Sequence, residues 1–109
     1  MAFSEQIADR LREMFYKNEI EITERHMFGG IAFMYKGKMC CGVVKDEMMV
    51  RVVNEKMESV LEQPYVREMD FTKRPMKGFV FVEVPALKTD TAMKYWIELG
   101  IEHVENQLK

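Results

Sequence analysis

No stretch of about 18 consecutive apolar residues occurs in this chain, and Met1-Ala2-Phe3-Ser4-Glu5 lacks the basic-then-apolar order of a signal peptide. A membrane-spanning or exported protein is therefore not expected, and a cytoplasmic one is. Cysteine is scarce: Cys40 and Cys41 are the only two, and they are neighbours. A disulfide framework needs separated pairs and a structural zinc site needs spaced ligands. Both read as reduced, buried thiols, expected to face apart because successive strand residues point to opposite faces. Histidine is limited to His26 and His103, with no H-x-x-x-H spacing, and no G-x-S-x-G or H-E-x-x-H motif is present. No catalytic residue, metal ligand or cofactor is expected. An excess of positive charge is also missing: 16 Lys and Arg stand against 18 Asp and Glu, a net charge of −2. That balance argues against a protein built mainly to neutralise phosphates.

What is present describes a packed fold. With 109 residues, 48% hydrophobic and 31% charged, the composition is that of one globular domain spanning 1–109. A chain of this size buries roughly two-thirds of the surface it exposes when unfolded, enough for a core without disulfides or metal.

Ser4 stands at an N-cap position, and Ile7, Leu11, Met14 and Phe15 recur at helical spacing, which predicts a helix from about Ser4 to Asn18. The pattern then changes to β-branched, aromatic and Met residues broken by Gly29-Gly30, Lys36-Gly37 and Asp46-Glu47. Strands are expected near 23–28, 31–35, 39–45 and 48–53, forming an antiparallel meander. Neither face of these strands is cleanly polar, so the second face should also be covered, by the terminal helices or by a partner subunit. A short helix follows over 54–63, stopped by Pro64. Residues 65–78 show no periodicity and read as a loop. Phe79-Val80-Phe81-Val82-Glu83-Val84 is a strong strand signal ended by Pro85, and Asp90 is a fitting N-cap for a final helix carrying Met93, Trp96, Ile97, Gly100, Ile101 and Val104. Gly100 there either permits a close contact or marks a kink. The class is α+β: N-terminal helix, antiparallel meander, short helix, further strand, and a C-terminal helix packed on the sheet.

Two separated motifs, Arg25-His26-Met27-Phe28-Gly29-Gly30 and Arg74-Pro75-Met76-Lys77-Gly78-Phe79, with a Met- and Val-rich hairpin between them, resemble the TfoX/Sxy N-terminal domain family over nearly the whole chain. The resemblance implies a small α+β domain with an antiparallel sheet. The family's founding members are bacterial regulators of natural competence that act with a cyclic-AMP-responsive transcription factor and carry a second, C-terminal helical domain. This chain is read as a single-domain member without it.

The Gly29-Gly30 pair could cradle phosphate, but the residues that follow read as strand rather than as the helix such a loop opens, so a hairpin turn or bulge is the better reading. The loop from Val66 to Gly78 holds Arg67, Lys73, Arg74 and Lys77 against Glu68 and Asp70. With Arg25 it suggests a small basic surface for an acidic partner or an anionic ligand: Arg25, Lys73, Arg74 and Lys77. The alternative is a solvated loop whose arginines pair with neighbouring carboxylates. Eleven methionines suit either an irregular core or an adaptable interface, so a homodimer through the sheet is a second expectation. The resemblance implies a non-enzymatic interaction module, an adaptor in transcriptional regulation whose partner is a transcription factor. The alternatives are a nucleic-acid-binding protein, and a binder of an anionic small molecule or an enzyme using a pocket beside Arg74.

Overall fold

The computed structural model describes residues 3–27, 29–71 and 74–108, and the side chains of residues 69–71 and 74–77 lie outside that description. Helix α1 (Glu5–Lys17) opens as expected at Ser4, whose hydroxyl accepts the Ile7 N–H at 3.2 Å. Its apolar stripe of Ile7, Leu11, Met14 and Phe15 is buried. Arg12, on the opposite side, donates from Nε and Nη2 to both Glu24 carboxylate oxygens at 2.8 and 2.9 Å and from Nη1 to Asp9 at 2.7 Å. This fork holds the Glu24 carboxyl below its usual range and ties the helix to the edge of the sheet.

The meander follows the sequence pattern: β1 (Thr23–Met27), β2 (Gly30–Tyr35), β3 (Lys38–Val44) and β4 (Glu47–Arg51), each antiparallel to the next. Gly29 has φ +74, as a turn between β1 and β2 requires, and a Cβ on Gly30 would lie 2.0 Å from the Val43 carbonyl oxygen. The pair is thus a turn and a close backbone approach. Helix α2 (Asn54–Leu61) comes next.

Residues 65–78 correct the loop expectation. β5 (Val66–Phe71) and β6 (Arg74–Val82) form an antiparallel pair, and β6 lies beside β4 to give one six-stranded sheet in the order β1-β2-β3-β4-β6-β5. After a short 3₁₀ turn (Val84–Leu87), α3 (Asp90–Gln107) closes the fold. Its N-cap is Thr89 rather than Asp90: the Thr89 hydroxyl accepts the Ala92 N–H at 3.0 Å, and Asp90 becomes the acidic residue of the first turn. Both residue types cap well, and a one-residue choice between neighbours is invisible to pattern. Among the described residues no helix is long and apolar enough to cross a membrane.

The helices all pack on one face of the sheet. Leu11 and Phe15 from α1, Val60 from α2, and Met93, Trp96 and Ile97 from α3 bury Ile31, Phe33, Val43, Val50, Val80 and Val82. The other face has its own cluster, Ala32, Met39, Val44, Met49, Phe79 and Phe81, to which no helix contributes. Of the two covers expected for the second face, terminal helices or a partner subunit, the terminal helices are therefore excluded.

The two cysteines are corrected in their geometry. Register shifts between Phe33, which pairs with Cys41, and Met34, which pairs with Met39, so Cys40 is the extra residue of a β-bulge. Cys40 and Cys41 consequently join the same helix-side core, with their sulfurs 3.8 Å apart. Both are free and buried. The Cys40 thiol donates to the Phe33 carbonyl at 3.4 Å, while contact with Cys40 and burial push the Cys41 thiol well up. Gly100 resolves as a close contact: a Cβ there would lie 2.3 Å from the Cys40 carbonyl oxygen, so α3 rests on the bulge.

Candidate binding surface

Charge is unevenly divided between the layers. The three helices carry nine carboxylates against five Lys and Arg, whereas the six strands carry six Lys and Arg against four carboxylates. Cross-strand partners share a face of a sheet. Arg25 pairs with Ala32, Arg51 with Phe79 and Arg67 with Phe81, so all three arginines belong to the face that no helix covers.

Two of them are held on aromatic rings. The Arg51 guanidinium lies 4.8 Å from the Phe79 ring centroid, and that of Arg67 lies 4.6 Å from the Phe81 centroid. A cation over an aromatic face is attracted by the ring's quadrupole, which favours holding the guanidinium there. Arg67 also donates to Glu47 from Nη2. Arg51 Nε is buried and has no acceptor among the described residues, and burial lowers the pKa of this group. An unpaired buried donor on a cation costs free energy.

The basic surface expected from sequence is only partly placed. Arg25 is exposed on β1, at one edge of the sheet. Arg74 and Lys77 have their backbones in β6, their side chains lie outside the described residues, and Lys73 lies outside them altogether. Three strands separate β1 from β6, so strand pairing does not set Arg25 beside the Arg74–Lys77 segment. Arg51 and Arg67 were not singled out as a pair from sequence. They flank β6 from β4 and β5, elements joined through α2, and only the sheet order brings them to neighbouring rings.

His103 lies behind this face, near enough to β6 that a Cβ on Gly78 would sit 3.9 Å from its Nε2. Its Nδ1 is buried without a partner among the described residues, and burial, then the nearby Arg51 charge, hold its pKa below the ordinary value of 6.5. A groove of about 740 Å³ runs along α3, lined by Lys36, Lys56, Tyr95, Glu98, Glu102 and Glu105 among others. Its three carboxylates give it the wrong sign for an anion, and Lys56 is already paired with Glu102 at 2.9 Å. Among the described residues no three His, Cys, Asp or Glu side chains converge as metal ligands would.

The family model for the TfoX N-terminal domain matches residues 13–104, from the last part of α1 through most of α3. No curated protein and no solved structure gave a match.

Proposed function

The chain belongs to the TfoX N-terminal domain family, and from that premise we propose that it is a protein-interaction module, an adaptor in bacterial competence-type regulation that works in the cytoplasm. The family is associated with competence and its regulation and is not a known enzyme family. The observation that carries the reading is the division of the molecule into an acidic helix layer and a helix-free sheet face bearing Arg25, Arg51 and Arg67. In this reading the sheet face meets the partner, a transcription factor, with Arg25, Lys73, Arg74 and Lys77 adding positive charge to the encounter. Charge of this kind sets register and association rate, while neighbouring apolar groups supply most of the affinity.

A homodimer through the same face is the weaker reading, because a face-to-face pair sets arginines against arginines, and among the described residues Glu47, already engaged by Arg67, is the carboxylate there to answer them. Direct binding of nucleic acid is disfavoured by the net charge of −2. The test is to pass lysate of the source cell over the immobilised protein at low salt, beside an Arg25→Glu/Arg74→Glu/Lys77→Glu variant. A transcription factor or polymerase subunit retained by the wild type and reduced on the variant is the expected result. A retained set identical to that of blank resin overturns the reading.

A further inference from the structure

We propose that Arg51 and Arg67, each laid on a phenylalanine of β6, form a two-point clamp for an extended acidic segment of a partner protein, one with carboxylates at alternate residues. The proposal rests on the interaction-module reading and adds the partner's chemistry. Phe79 and Phe81 are two residues apart on one strand, so their rings repeat at about 7 Å along the same face. Arg51 reaches the first ring from β4 and Arg67 reaches the second from β5, at 4.8 and 4.6 Å. An extended chain places its own alternate side chains at that same spacing. Two carboxylates at positions i and i+2 of such a segment therefore meet two guanidinium edges in register, whereas a helix puts its neighbouring side chains at i+3 and i+4.

The receiving groups are preorganised. Contact with a ring restricts each guanidinium, so less side-chain freedom is lost when a carboxylate docks. Among the described residues Arg67 spends only Nη2, on Glu47, so its other donors remain for the incoming group, as do the terminal amino groups of Arg51, whose Nε is buried out of reach. Charge selects the same occupant: the helices on the far side bear nine carboxylates, so the molecule repels a long polyanion while one sheet face attracts a short acidic segment.

The experiment titrates the ¹⁵N-labelled full chain with a short peptide of alternating Glu and Thr, following the arginine Nε–Hε resonances. A peptide of the same composition with its Glu residues in one block, and a short thymidine oligonucleotide, serve as the other probes. The alternating peptide is expected to shift the Arg51 and Arg67 resonances and to bind more tightly than the block peptide. Affinity should fall about tenfold or more in Arg51→Met/Arg67→Met, which keeps the rings covered, and also in Arg51→Lys/Arg67→Lys, which keeps the charge and loses the fork. Unmoved resonances at about millimolar peptide, equal affinity of the Lys double variant, or tighter binding of the oligonucleotide at the same arginines would each overturn the clamp. A regulator captured from lysate equally by wild type and the Met double variant overturns the clamp and leaves the interaction module standing.

Discussion

Both faces of the sheet bury apolar side chains, by different means. On one, Phe33 is fully buried beneath Phe15, with ring centroids 5.6 Å apart, and Trp96 of α3 closes the layer. On the other, Met49 is fully buried and Phe81 only 5% exposed without any helix above them. Arginines lie over the two rings there, their stems and guanidinium planes standing where a helix would otherwise be. A helix covers its face as part of the fold. An arginine covers its ring and still presents donors to whatever arrives, so that face is both core and reception surface.

Phe33→Ala should give the largest effect on this contrast, about 4 kcal/mol of lost stability in chemical denaturation, with Phe81→Ala somewhat lower at about 3 kcal/mol. A cost below about 1 kcal/mol for Phe81→Ala would mean that the open face is not a core at all. Next comes Gly100→Ala, which drives a methyl to 2.3 Å from the Cys40 carbonyl oxygen and forces α3 off the bulge. A loss of about 2 kcal/mol is expected, and an unchanged denaturation midpoint would show that the helix is not seated there. The smallest effect joins the two faces. His103 is held below its ordinary pKa of 6.5 by burial and by Arg51, so the unfolded chain takes up the proton first. Stability should fall as pH drops through about 6.5 toward the folded value, less steeply in His103→Gln, as followed by Tm between about pH 7.5 and 5.5. Parallel curves for the two proteins would remove His103 from the account.

Periodicity revealed the helices and the meander because their apolar residues recur on one face, as Ile7, Leu11, Met14 and Phe15 do. β5 escaped notice because Arg67, Glu68 and Asp70 interrupt any apolar alternation, and this strand is held by pairing with β6 at the sheet edge. The bulge at Cys40 was hidden for a related reason: a single extra residue flips one side chain without leaving a mark in composition. Arg25, Lys73, Arg74 and Lys77 stand out by local charge alone, whereas the arginine and phenylalanine pairs were not legible. Arg51 and Phe79 are partners only because β6 passes beside β4 after a helix and a strand intervene.

The bulge also makes the molecule report on its own opening. Both thiols are inaccessible to solvent, with α3 resting on the bulge, so an alkylating reagent does not reach them in the closed state. Reagent is consumed only as fast as the layer above Cys40 lifts away, at whatever temperature or partner concentration prevails. The rate of thiol loss thus counts excursions from the native fold with no probe introduced, and a ligand that tightens the sheet would slow that count without ever touching a sulfur.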